Sequence, residues 1–328
     1  MTNNNSKIIR WGIIGCGDVT EVKSGPAYQK TKGFEFSAVM RRDAVKCADY
    51  AKRHGVSKQY SDADSLINDS QIDAIYIATP PDSHKLYALK VALAGKPCCI
   101  EKPMAPSYKD SLSIYNAFKE KEIPLFIAYY RRSLPRFNQI KKWLDANEIG
   151  EIRHINWQLS KPPSALDLSG VYNWRTDSNV AKGGYFDDLA SHGLDLFVHL
   201  LGKVKEASGF SSNQQGLYSA KDAITACWIH ESGVTGTGNW NFGCEDRQDK
   251  VEIFGSTGKI VFSVFDEKPL LLYNKKEQTE FLIKHPENIQ LYHVENIREH
   301  LLGNKIHPSL GESGLHTSWI MDRIIGTI

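Results

Sequence analysis

Trp11-Gly12-Ile13-Ile14-Gly15-Cys16-Gly17-Asp18-Val19-Thr20 is the stretch on which the fold of this chain turns. Residues 8–14 read as a short apolar strand, and Gly15-Cys16-Gly17 ends it in a G-x-G turn. Gly15 would permit a tight turn, and Gly17 would let the backbone approach a pyrophosphate at the start of the following helix. Gly15, Cys16, Gly17, Asp18 and Val19 are therefore the candidate contacts of a dinucleotide. A lone G-x-G is weak evidence, but one at the first strand-to-helix turn of a βαβ series carries far more weight.

That series follows. Residues 34–40 read as a strand, and 44–54 as a helix capped by Asp43. Residues 72–78 form a buried strand halted by Thr79-Pro80-Pro81, 83–94 a helix, 98–101 a strand, 107–121 a helix and 125–128 a last strand. Such alternation predicts a doubly wound parallel sheet. After about residue 130 the pattern changes to a helix over 134–147 and longer strands of period two at 151–160, 223–230, 233–242, 249–254 and 259–264. A helix over 186–201 and two terminal helices, 289–302 and 310–325, complete the chain. The fold class is α/β, with an N-terminal Rossmann domain over 1–129. A C-terminal α/β domain over 130–328, with a large, mostly antiparallel, open-faced sheet, would bind substrate and carry oligomer contacts.

The chain has 328 residues, 41% hydrophobic and 24% charged, with a formal net charge of +2. That is ordinary globular composition, and it gives no electrostatic pull toward nucleic acid or a membrane. Six cysteines lack any C-x-x-C pair, and Cys98-Cys99 falls in a predicted buried strand. The expectation is a reducing, cytoplasmic setting without a structural metal or disulfide framework. Residues 1–7 are polar and lack an apolar signal region.

The end of the second strand selects the cofactor. An acid there would bind the ribose of NAD, but the strand ends Met40-Arg41-Arg42-Asp43. The guanidinium forks of Arg41 and Arg42 suit a 2′-phosphate, so NADP is expected. NAD becomes the expectation if Asp43 turns inward instead. Thr79 and Pro80 would line the cofactor cleft. His84 reads at least as well as a surface histidine near a helix cap and is left out of the site.

Two distant segments look like halves of one active site. Glu101-Lys102-Pro103 follows the strand Cys98-Cys99-Ile100, and Gly183-Gly184-Tyr185-Phe186-Asp187-Asp188-Leu189-Ala190-Ser191-His192 opens a helix. Asp188 and His192, four apart, would share one helix face. Lys102, Asp188 and His192 together would suit proton transfer coupled to hydride transfer. Singly, each has a plainer reading: a solvated lysine, a helix cap, a core histidine. Asp188, His192, Asp195 and His199 also form one helical stripe, but it spans about 16 Å by helix rise, too long for one ion. Trp157, Tyr172, Trp174 and Tyr130 offer aromatic faces for a sugar, Arg175 a hydrogen-bonding fork, and Lys161-Pro162-Pro163 a loop over the site.

In this order the G-x-G turn, Ala78-Thr79-Pro80-Pro81, Glu101-Lys102-Pro103 and Gly-Gly-x-x-x-Asp-x-x-x-His resemble the glucose–fructose oxidoreductase, inositol dehydrogenase and rhizopine catabolism family (Gfo/Idh/MocA). Tyr129-Tyr130-Arg131-Arg132 resembles the family's first segment beyond the nucleotide domain. The resemblance implies a nicotinamide held between two domains, Lys102, Asp188 and His192 as the catalytic set, and Glu101 near the nicotinamide ribose. It also implies association of subunits through the open sheet face, as a homodimer or homotetramer. Thr20, where a third glycine is usual, and Ala190, where the family often has glycine, depart from the pattern. Thr20 would loosen helix packing slightly. The expected activity is NAD(P)-dependent oxidation or reduction of a sugar, cyclitol or related polyol. The alternatives are a trans-dihydrodiol dehydrogenase, a net non-redox enzyme with a cycling cofactor, and a catalytically idle nucleotide-binding regulator.

Overall fold

The computed structural model describes residues 8–275 and 277–328; the polar stretch 1–7 lies outside them. Two compact units emerge. One holds residues up to Leu134 together with Pro286–Leu315, the other Pro135–His285 with His316–Ile328.

The first unit is built on six parallel strands: β1 (Ile9–Ile14), β2 (Phe34–Met40), β3 (Lys58–Tyr60), β4 (Ala74–Ile77), β5 (Cys98–Ile100) and β6 (Leu125–Ile127). Their order is β3-β2-β1-β4-β5-β6. Reversal of the strand order at β1 and β4 opens a crevice at the strands' carboxyl ends, where such sheets bind dinucleotides. Both faces are covered, which is why the strands are continuous apolar runs. Ile14, Ile75, Ile77 and Ile100 pack on one face, and Trp11, Ile13, Tyr76 and Phe126 on the other.

That second face also takes residues from near the end of the chain. The helix Leu291–Leu301 places Val294 and Ile297 in the cluster of Trp11 and Phe126. An amphipathic pattern announces a helix with one apolar face; it does not say which sheet the face will cover. By packing, residues 286–315 group with the first unit. Thr20, which departs from the glycine pattern, is fully buried; its Oγ1 donates to Gly17 O at 2.7 Å and its carbonyl accepts from Tyr50 Oη at 2.9 Å.

The second unit carries eight strands: β7 (Ile152–Ser160), β8 (Val204–Ser212), β9 (Ala223–His230), β10 (Thr235–Asn241), β11 (Gln248–Gly255), β12 (Lys259–Phe262), β13 (Leu270–Tyr273) and β14 (Gln278–Phe281). The order is β14-β13-β12-β11-β7-β10-β9-β8, antiparallel except where β10 runs parallel to β7. Gly236, Gly238 and Trp240 of β10 face inward, and Thr235, Thr237 and Asn239 outward. Rings of Trp228 and Trp240 lie over the two glycines, in space that side chains there would fill. On the outward face a groove of about 330 Å³ is lined by Phe210, Cys227 and Asn239 among others.

A helix lies on the inward face. It begins as a π-helical turn, Phe186–Ala190, and continues as the α-helix Ser191–Leu201. The regular helix expected from residue 186 is thus widened through its first turn, a feature that recurs at functional sites. Phe186 packs edge-on to Trp240 and Phe197 edge-on to Trp157. Gly193 sits directly on Trp157: a Cβ there would lie 2.3 Å from the indole. Inside the π turn Asp187 is buried and accepts from Gly183 N at 3.0 Å. Burial pushes its carboxyl up to about 7, and the charges of Asp322 and Asp188 add to the rise.

Gly193→Ala should force the helix off the sheet. Overpacking of this kind costs about 1–3 kcal/mol, and more where the obstructing group is a rigid ring. Thermal unfolding should show a clear loss of stability, with turnover falling further than that of a surface control such as Ser232→Ala. Asp187 yields a pH prediction. Its folded-state value exceeds the unfolded value, so the fold binds the extra proton between about pH 4 and 7 and loses stability as pH rises through that window. Asp187→Asn removes this proton uptake while keeping an acceptor for Gly183. The melting temperature of the wild type minus that of the variant should fall by several degrees from pH 4 to 7 and then stay level.

Candidate active site

In the first unit the glycine turn is held by its neighbours. Gly15 has φ +94°, a left-handed conformation, and its N–H donates to Met40 O at 2.9 Å. A Cβ on Gly15 would lie 2.6 Å from Thr79 Cγ2 and 2.9 Å from Thr79 N, so the Thr79 turn presses directly on it. Gly17 is different, since a Cβ there would meet nothing within 4 Å. Internal packing thus accounts for Gly15 but not for Gly17, and the space above Gly17 fits a ligand group lying against the backbone. Asp18 is exposed and Val19 half-buried beside it.

Arg41 is half-buried, and its Nη1 donates to Cys16 O at 2.8 Å, which places its guanidinium beside the glycine turn. Arg42 is exposed. Asp43 points elsewhere. Its Oδ1 caps the helix Ala44–His54 by accepting from Lys46 N at 3.0 Å, and that bond holds its carboxyl below the usual range. The residue that would have argued for NAD is occupied as a helix cap.

Glu101 is turned inward. Its carboxylate accepts from Tyr76 Oη, from Gln290 Nε2 at 2.7 Å and from Lys102 N at 3.2 Å. This buried carboxylate, expected near a nicotinamide ribose, bonds the backbone that presents Lys102. Lys102 is half-buried just past the end of β5. Pro80 is exposed and Thr79 half-buried at the end of β4. His84 corrects the sequence reading, for it is fully buried rather than on the surface.

In the second unit the structure joins two residues that sequence left apart. Arg175 Nε donates to Asp188 Oδ2 at 2.6 Å, and the Arg175 guanidinium also lies 4.4 Å from the Trp174 ring. Asp188 and His192 are both buried, on either side of the π-to-α junction. The His192 ring meets Phe265 edge-on at 5.9 Å. Phe265 N donates to Asp249 Oδ2 at 2.6 Å, and Asp249 Oδ1 accepts from Trp157 Nε1 at 3.0 Å.

The suggested aromatic contacts differ in their exposure. Trp157 is fully buried beneath the helix and is a core residue. Tyr172 is exposed, and Tyr130 is buried in a 3-10 turn, Tyr130–Ser133, under the guanidinium of Arg131. Sequence reasoning passed over a polar cluster in the second unit. Tyr185 Oη donates to Asp167 Oδ1 at 2.6 Å, and Asp167 Oδ2 accepts from Ser164 N and Oγ. The Ser164-x-x-Asp167 spacing, a capping-box signal, was available to find it. Lys161 lies 3.5 Å from the Tyr185 ring, and burial lowers its ammonium's pKa against the pull of Asp167 and Asp188. Asp195 is fully buried and accepts from Thr317 Oγ1 at 3.1 Å, a structural use; His199 is half-buried. Among the described residues, no three His, Cys, Asp or Glu are grouped to hold a metal ion, and no helix is long and apolar enough to cross a membrane.

Residues 9–129 match the GFO/IDH/MocA oxidoreductase family with an NAD-binding Rossmann fold, and residues 137–261 match the GFO/IDH/MocA C-terminal domain. Oxidoreductase P35 of Formosa agariphila is 36% identical over 320 residues, covering 97% of this chain and 99% of that protein. The scyllo-inositol 2-dehydrogenase (NADP(+)) IolU of Bacillus subtilis is 27% identical over 82% of this chain and 87% of its own length. Levoglucosan dehydrogenase, solved with NADH and levoglucosan, shares the fold with a TM-score of 0.86 at 22% identity, covering 97% of this chain and 96% of that one. A parallel six-stranded nucleotide-binding sheet, a large open-faced second sheet and matches across both halves place this chain in the GFO/IDH/MocA family of oxidoreductases.

Proposed function

We propose that this chain is an NADP-dependent dehydrogenase or reductase acting on a CH–OH carbon of a sugar, cyclitol or related polyol. The observation that carries the reading is Arg175 anchoring Asp188 one turn from His192. It sets a carboxylate and an imidazole at defined places on one buried helix, suited to a polyhydroxylated ligand. The names of two relatives, an inositol dehydrogenase and a levoglucosan dehydrogenase, support a substrate of that class.

The nicotinamide, when bound, accepts or returns the hydride. Gly15, Cys16, Gly17, Asp18 and Val19 would hold its pyrophosphate, Arg41 and Arg42 the 2′-phosphate, and Thr79 and Pro80 the adjoining ribose. His192 takes the hydroxyl proton as the alcohol is oxidised and returns it on reduction, because an imidazole's ordinary pKa lies near neutrality. Lys102 donates to the same oxygen and stabilises the alkoxide as it forms. Asp188 orients His192 or receives a neighbouring substrate hydroxyl, and Arg175 keeps it in place. Tyr130, buried to much the same degree as Asp188 and His192, stays in the proposed substrate set. Glu101 acts behind Lys102 rather than on the ligand.

A second copy of the chain is proposed to cover the outer sheet face. Phe210 is 87% exposed there, beside the groove. A two-fold dimer closes such a surface on itself, and a tetramer follows by pairing dimers.

The reading is tested by following reduced-nicotinamide absorbance with each cofactor and a panel of sugars, cyclitols and cyclic diols. Turnover of a polyol is expected; turnover of the diols alone would replace the substrate class. Lys102→Met and His192→Ala should each lower turnover by about 10²–10⁴-fold while cofactor affinity, by calorimetry, stays close to wild type. Wild-type protein should bind NADP more tightly than NAD. Arg41→Asp should weaken NADP binding by about 1–3 kcal/mol, the scale of a lost charged hydrogen bond; tighter NAD binding by the wild type would overturn the assignment. Light scattering should give at least twice 36.9 kDa at micromolar concentration, and Phe210→Glu should reduce it.

A further inference from the structure

His84 is the first residue of the helix His84–Leu93 and is fully buried. Its Nε2 lies 2.8 Å from Thr79 O and its Nδ1 lies 3.1 Å from Pro103 O. Both oxygens belong to segments of the proposed site. Thr79 opens the turn that presses on Gly15, and Pro103 directly follows Lys102. The Thr79 turn is held from other sides too. Ser83 Oγ donates to Thr79 Oγ1 at 2.7 Å, and Ala78 N donates to Ile14 O at 2.8 Å. On the other arm, Glu101 N donates to Ile77 O at 2.8 Å. A continuous run of contacts therefore leads from the glycine turn through Thr79, His84 and Pro103 to Lys102, within one compact unit.

We infer that His84 is a positioning residue that couples the cofactor-lining Thr79 turn to the backbone presenting Lys102. The inference rests on the proposed role of Lys102 but not on the identity of the substrate. The chemistry explains why an imidazole stands there. A buried side chain must bridge two carbonyl oxygens on different loops, and an imidazole has a nitrogen on each side of a rigid ring. Burial disfavours its charged form, and the two accepting carbonyls favour it. A neutral ring donates its one N–H to one of these carbonyls, and the protonated ring donates to both. The relative setting of the two loops then depends on this ring. An apolar residue of like volume would fill the space yet leave both carbonyls without the nitrogen contacts.

The test uses the full chain with His84→Phe and His84→Asn. NADP and NAD affinity, kcat, substrate KM and melting temperature are measured for each, with Lys102→Met in parallel. His84→Phe should weaken cofactor binding and lower kcat by about 10²-fold, the scale of a displacement near 1 Å in a reacting group, with substrate KM little changed. His84→Asn keeps a donor and should recover part of both losses. A folded His84→Phe with wild-type cofactor affinity and kcat, whatever its melting temperature, overturns the inference. Should His84→Phe fail to fold, ring ¹⁵N–H spectra of the wild type decide. The His84 N–H should exchange slowly and shift on saturation with cofactor, and an unmoved resonance also overturns it. If no polyol is turned over, the functional proposal fails while cofactor affinity and the ring spectra still report on His84. If Lys102→Met keeps full turnover, the role of Lys102 fails but the Thr79 arm stands.

Discussion

The second unit depends on the contact between Gly193 and Trp157. There the helix backbone rests on an indole with no side chain between them. The contact begins a closed circuit: Trp157 donates to Asp249, Asp249 accepts from Phe265 N, and the Phe265 ring meets His192, the neighbour of Gly193. His192 is thus placed by the same residues that seat its helix. Preorganisation of this kind needs no flexible support, because each member is locked by packing or by a hydrogen bond. The π turn just upstream widens the helix where Asp187 and Asp188 enter it.

The carboxylates of that region are differentiated by their surroundings. Asp188 has a guanidinium, Asp167 a phenol and a cap, and Asp187 a backbone amide in a buried pocket. Asp187 is driven up to about 7, because one amide does not offset the loss of water. In the first unit the polar side chains act as struts. Glu101 ties Tyr76, Gln290 and the Lys102 amide, while Arg41 reaches the carbonyl of Cys16. The proposed site draws on side chains that also hold the fold, so its shape and the domain's stability share their causes.

Most of the architecture was legible in the chain itself. Continuous apolar runs between turn signals announced the parallel strands, and the alternation of Gly236, Gly238 and Trp240 with Thr235, Thr237 and Asn239 announced a one-sided sheet. β3, β8, β13 and β14 were not anticipated. In β8 only Val204 and Ala207 are buried, and Phe210, its most apolar side chain, points outward, so the pattern of a half-buried strand is broken. Of the site residues, the glycine turn, Lys102, Asp188 and His192 stood out by motif and order. The inward turn of Glu101, the burial of His84 and Trp157, and the Arg175–Asp188 pair did not.

The sequence by itself determined the fold class, the place of the nucleotide-binding turn and the residue types able to move a proton. These follow from local chemistry: period, turn residues and motif spacing act over a few positions. Only the tertiary structure decided that 291–301 covers the first sheet, that Glu101 meets Gln290, and that His84 spans two loops. Each of those depends on which surface a side chain meets across long sequence separation. The choice is made by packing and by pairing of buried polar groups, and no local pattern encodes it.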